Sequence, residues 1–238
     1  MLLLFRRIRS GAIDTSNVKK YLLYAVGEIV LIVIGILIAL QISNLDESRK
    51  TGIEEATALR LLRENLEDEV AGFDAWIRTR VETDIPYLTR IYEKRWDGIP
   101  LDSLPLVGTR YFNFQPFDAT YEGLKSGGEL SLIENDGLRG KVISYYEREH
   151  VHLADWSSWH KNFVTNTLEP LMYDELYIGP DELVADVDHL ERQLGTRRLN
   201  SLISTQIGSL RRLGVEIEEA KGYAEEIIAA IDEELAGG

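Results

Sequence analysis

Residues 21–42 read YLLYAVGEIVLIVIGILIALQI. As a helix these 22 residues rise about 33 Å, roughly the thickness of one hydrocarbon core. From Ile29 to Leu40 every position is apolar or glycine. The core helix of a soluble protein normally keeps a polar stripe, and nothing polar lies between Glu28 and Gln41. A cleavable signal has a shorter apolar region and a small-x-small exit, whereas this run ends ALQISNLDE. The stretch reads as an uncleaved transmembrane helix.

The flanks set its direction. Arg6, Arg7, Arg9, Lys19 and Lys20 against Asp14 give residues 1–20 a charge of +4. Asp46, Glu47, Glu54 and Glu55 follow the span. The positive-inside bias puts residues 1–20 in the cytoplasm and the bulk of the chain outside, which in a bacterium is the periplasm beyond the inner membrane. Tyr21 and Tyr24 stand where interfacial aromatics belong.

One acid interrupts the apolar run. Glu28 lies about two helical turns inside the cytoplasmic boundary, where an ionised carboxylate costs a few kcal/mol. Leu31, Ile32, Gly35, Ala39 and Ile42 share its side of the helix. Gly35 and Ala39 form a small-xxx-small pair that lets a second helix approach closely. The face Glu28, Leu31, Gly35, Ala39 is therefore expected to dock on a partner helix, with Glu28 protonated or paired. The alternative is a glutamate that snorkels to the headgroups. A proton relay would need a second polar partner in the span, and the span has none. It also has no histidine for axial ligation of haem or chlorophyll.

The net charge of −14 conceals an asymmetry, because residues 43–238 carry −17. An acidic body repels phosphate backbones, which excludes nucleic acid as the expected partner. With no cysteine, disulfides, thiolate catalysis and cysteine-bound metals are excluded.

Beyond residue 43 the chain reads as all-α. Residues 43–52 are either a short hinge, with Gly52 its weak point, or a continuation of the span. Residues 53–236 form a helical-bundle domain on three long helices, about 53–95, 136–172 and 197–235. In the first, Leu59, Leu62, Leu66, Val70, Phe73, Ile77 and Val81 step by three or four, and Pro86 forces a kink or restart. Residues 97–117 are irregular, with Tyr111, Phe112, Phe114 and Phe117 packing them onto the domain. Asp118 caps a short helix that Gly127-Gly128 ends, and a short turn covers 129–134. Gly179-Pro180 makes a turn, after which Asp181 caps a helix at 182–194. In the last helix Leu210, Leu213, Ile217, Ile227 and Ile231 form a heptad seam suited to self-association, hence a possible homo-oligomer.

The blocks YAVGEIVLIVIGILIALQISN (24–44) and YEGLKSGGELSLIENDGLRGKVISYY (121–146) carry a resemblance to a family of uncharacterised bacterial proteins. These have a short basic N-terminus, one span and a helical outer domain. The chain departs from that pattern at Leu45, where a tryptophan is expected. The resemblance implies a topology and brings no activity and no catalytic residues.

Motifs with chemistry are sparse. LKSGGE (124–129) lacks the spacing and the Lys-Ser/Thr of a phosphate loop, and neither a G-x-S-x-G elbow nor H-E-x-x-H occurs. Glu147 with His150, Glu149 with His152, and Asp186 with His189 stand at the i,i+3 spacing that ferritin-like bundles use for two metals, with Glu64, Asp68 and Glu216 as further carboxylates. In a chain with 40 acids a solvated acidic face accounts for these as well. His152, Trp156, Trp159 and His160 form a cluster at helical spacing, either core packing or a ligand patch.

The expectation is a non-catalytic, single-span accessory or scaffold subunit of a larger membrane complex (respiratory, photosynthetic or transport type), with no cofactor and no metal. Its partners are integral membrane protein subunits and lipid. A periplasmic ligand-binding or sensor module is the alternative, and a ferritin-like di-metal protein the second. A closed apolar pocket lined by the 111–117 aromatics or by Trp156 and Trp159 would favour the sensor.

Overall fold

Every regular element among the described residues is helical. The computed structural model describes residues 15–176, 178–180 and 184–237, and of residues 15–21, 23 and 24 the backbone alone. The chain divides into two units, Met1–Glu54 and Glu55–Gly238, and the division falls inside the first helix, α1 (Thr15–Trp76).

In the first unit, α1 carries the apolar run. It is the one helix among the described residues long and apolar enough to cross a membrane, and none of its most apolar window is buried. Residues 43–52 are helical throughout, Gly52 included.

In the second unit, α1 passes into a π-helical stretch, Ile77–Asp84, and then into α2 (Ile85–Tyr92). The cause is Pro86, which sits in the first turn of α2. Proline lacks an amide proton and its ring clashes with the carbonyl four residues back. The wider i→i−5 turns upstream, with Ile85 N–H donating to Arg80 O, relieve that clash. The restart expected at Pro86 is thus made without breaking the helical path. Pro170 stands in the same relation to a second π stretch, Val164–Leu168.

The nominally irregular segment holds more order than its prolines and glycines indicate. A 3-10 turn at Leu101–Ser103 leads into α3 (Leu104–Gly108), started by Pro105 in its first turn. Phe112 is buried and Phe114 half-buried, whereas Phe117 is exposed. Next comes α4 (Ala119–Gly127), closed by Gly128 at φ +71°, a left-handed conformation natural to glycine. Asp118 occupies the N-cap position but its side chain makes no capping bond. A 3-10 turn covers Glu129–Leu132.

Asn135 then caps α5 (Asp136–Ser144), its Oδ1 accepting from Gly137 N–H and Leu138 N–H. The path continues through a π turn (Tyr145–Glu149), α6 (His150–Phe163), the π stretch at 164–168, and α7 (Glu169–Glu175). The helix expected at 182–194 is shorter: α8 is Val187–Leu194. Val184 instead makes an isolated antiparallel bridge with Ile178, and the cap is Asp186, which accepts from His189 N–H. Asp181 lies outside the described residues. Finally α9 runs Arg197–Gly237.

Two apolar clusters fill the second unit. One joins Leu59, Leu62, Leu66 and Phe73 of α1 to Tyr145, Leu153 and the C-terminal half of α9. The other joins α2, α7 and α8 to the N-terminal half of α9. Leu213, Ile217, Ile227 and Ile231 lie in the first cluster and Leu210 in the second, all essentially solvent-free. This corrects the self-association reading. The seam is filled by the chain's own helices, and each such side chain contributes about 1.5–3 kcal/mol by staying buried there.

Candidate functional site

The expected docking face lies on the first unit. Glu28, Leu31, Gly35 and Ala39 are all exposed on α1. A β-carbon added to Gly35 meets nothing within 4 Å. Glu28 makes no hydrogen bond or ion pair among the described residues. Of the interface residues, Arg6, Arg7 and Arg9 lie outside the described residues. Lys19, Lys20, Tyr21 and Tyr24 lie on α1, outside those whose side chains are described.

The second unit contains a polar cluster that the apolar periodicity conceals. Glu69 is buried on α1, and its Oε2 accepts from Tyr145 Oη–H at 2.5 Å. His150 Nε2 lies 3.0 Å from the same oxygen, so this nitrogen carries a ring proton. The π turn at Tyr145–Glu149 bridges these two partners of one carboxylate. Tyr145 and Tyr146 pack edge-on against the His150 ring at 5.0 and 4.7 Å, and Phe114 does so at 5.1 Å. Burial, then the Glu69 charge, pushes the Tyr145 hydroxyl far above its ordinary value, so it stays a donor. Glu69 Oε1 and, one turn earlier, Asn65 Oδ1 have no hydrogen-bond partner among the described residues.

A second polar set fixes the segment after α3. Phe112 N–H donates to His160 Nδ1 at 3.1 Å, so the ring proton is on Nε2, which donates to Gln206 Oε1 at 3.0 Å. Gln206 Nε2 donates to Arg110 O, Ser157 Oγ–H donates to Phe112 O, and Phe114 N–H donates to Ser157 Oγ. Side chains of α6 and α9 thus satisfy an irregular stretch of backbone. Burial, aided by the Arg80 charge, lowers the His160 pKa and keeps the ring neutral. Nearby, the buried Asp84 carboxylate takes Arg80 at 2.9 Å and Arg110 at 3.1 Å, one on each oxygen.

The i,i+3 carboxylate–histidine pairs do not converge. Glu147 accepts from Tyr121 and Lys125, which hold its pKa below the usual carboxylate range, Lys125 first. His150 goes to Glu69, and His152 Nε2 accepts from Trp156 Nε1–H with Glu216 Oε2 2.8 Å away. Asp186 spends its side chain as a helix cap, while His189 Nε2 bonds Glu175 O. Among the described residues no three His, Asp or Glu side chains are grouped so as to hold a metal ion. Of the cluster His152, Trp156, Trp159 and His160, the last is core and the other three line a groove open to solvent rather than a closed pocket. A cleft of about 260 Å³ between α5 and α9 is lined by Lys141, Arg148, Glu149 and Glu226 among others, charges that balance.

No protein-family model, curated protein or solved structure matches the chain.

Proposed function

We propose that this chain is a non-catalytic, single-span accessory subunit of a larger membrane protein complex. Residues 21–42 anchor it in a bacterial inner membrane with the N-terminus cytoplasmic. The unit after Glu54 lies in the periplasm and braces the complex. One observation carries the reading: α1 exposes an unbroken apolar surface over Ile29–Leu40, and Glu28, at the edge of that surface, has no partner among the described residues. Lipid satisfies the apolar surface but not the carboxyl. A neighbouring helix that offers a donor at the level of Glu28 and packs closely over Gly35 and Ala39 satisfies both. The basic flank before the span and the acidic chain after it support the orientation. The polar sets of the second unit support a bracing role, since each of them ties helices or irregular backbone together inside the core.

The test is purification of the native protein in a gentle detergent, with mass spectrometry of what co-migrates, beside the variant Gly35→Leu. The open space at Gly35 means that the substitution disturbs nothing within the chain's own fold. The variant is expected to insert with unchanged helicity and to lose its co-migrating subunits. A wild-type protein that runs alone, or a variant that retains its partners, refutes docking through this face.

A further inference from the structure

Away from the core, α6 presents an open groove lined by His152, Asp155, Trp156 and Trp159. The two indoles stand at 80° to each other with centroids 5.7 Å apart. Phe163 lies parallel to Trp159, 5.9 Å away, and holds that ring while 48 % of the residue stays exposed. The result is a corner with two aromatic walls. One of these rings already takes a cation, since the Arg212 guanidinium lies 5.7 Å from the Trp156 centroid. The polar groups around the corner are mostly spoken for. Trp156 Nε1–H donates to His152 Nε2 at 2.9 Å, and Glu216 is held by Arg212 and lies 2.8 Å from that same nitrogen. Asp155 is exposed and makes no hydrogen bond or ion pair among the described residues.

We propose that this groove binds a small methylated ammonium cation. The faces of indole rings carry the negative end of a quadrupole and attract cations, tryptophan most strongly. Asp155 supplies a free carboxylate at the same place, in a body whose charge of −17 after residue 42 favours any cation. A methylated ammonium is weakly hydrated and gives up little water to reach the rings. A metal ion or a primary ammonium gives up much more, and an open groove with one free carboxylate does not replace it. A sugar would stack on the same rings and find Trp159 Nε1 and His152 Nδ1 unbonded among the described residues, but it carries no charge for Asp155 to attract. A phosphocholine headgroup brings a phosphate that Asp155 repels. The occupant is therefore the free cation.

Titration calorimetry of the full chain with tetramethylammonium chloride tests this, with sodium chloride as the control and a detergent lacking ammonium and sugar headgroups. The expected result is saturable binding, accompanied by a change in indole emission. Trp159→Ala weakens it about tenfold and Asp155→Asn about threefold. Asp155 is exposed and unpaired among the described residues, so Asp155→Asn keeps the parent's helicity and melting temperature, whereas Trp159→Ala keeps the helicity and gives up only its ring contacts with Trp156 and Phe163. Absence of saturable heat, undiminished binding in the two variants, or binding of cellotriose in place of tetramethylammonium overturns the proposal.

Discussion

Gly214 of α9 lies so close to Val81 that a β-carbon at position 214 would stand 2.9 Å from Val81 Cγ2. Real β-carbons essentially never approach that closely, and the β-branched valine has little rotamer freedom with which to retreat. Gly214→Ala gains about 1 kcal/mol of helix propensity and loses roughly 1–3 kcal/mol to overpacking. We expect a net loss of about 1 kcal/mol in denaturant unfolding, reversed when Val81→Ala is added. A single variant more stable than the parent would show that the contact yields freely.

Glu69 tests the polar pin in the core. Glu69→Leu strands the Tyr145 hydroxyl and the His150 ring without their shared acceptor. It is expected to cost about 3 kcal/mol of unfolding free energy. Glu69→Gln keeps an acceptor oxygen and should cost about 1 kcal/mol. Equal effects of the two variants in urea melts would mean that the hydrogen bonds contribute nothing beyond shape.

His160 predicts a pH dependence with a definite sign. Its folded-state pKa lies below the ordinary 6.5, chiefly through burial, so the unfolded chain binds a proton more readily than the folded one. The contribution is fully present above about pH 6.5 and is lost as pH falls through the window below it. Melting temperature should decline on acidification from pH 7 to 5, and His160→Gln should flatten that slope while lowering stability overall. A parent slope that survives in the variant would assign the effect to other groups.

Asp84 holds two guanidinium groups from a buried position. Arg80 is mostly buried and Arg110 more exposed, so solvent screens part of the interaction. Asp84→Asn is expected to cost about 2 kcal/mol, less than the loss of a fully buried pair. Release of the segment after Arg110 should appear as faster amide exchange at Phe112 and Phe114, and unchanged exchange there would disconnect the ion pair from that segment.

Much of the helical layout is legible in the sequence because long apolar periods outlast local noise. The last helix, expected at about 197–235, is Arg197–Gly237, and Asp136 opens α5. What escapes is instructive. The buried positions of α1 are Ala58, Leu59, Leu62, Leu66, Glu69 and Phe73, and from Leu59 onward they alternate steps of three and four that pass through an acid. An apolar count steps past Glu69 to Val70, which is only half-buried, and so misses the polar pin. The three-and-four spacing itself was the available signal. The α9 seam shows the complementary limit. A heptad stripe reports that a face is covered, not whether another chain or the same one covers it. The sequence puts the start of α8 too early because Asp181 and Asp186 are equally good caps by composition, and only the Ile178–Val184 bridge selects between them. The π stretches leave almost no trace in an apolar pattern, although two of them precede prolines.

The proposed topology depends on where the two units of the chain reside. Protease added to intact spheroplasts, followed by carbonate washing of the membranes, measures this directly. We predict digestion of the unit after Glu54, with a protected fragment containing residues 21–42 retained in the membrane. A fully protected body, or a full-length chain released by carbonate, would contradict the account.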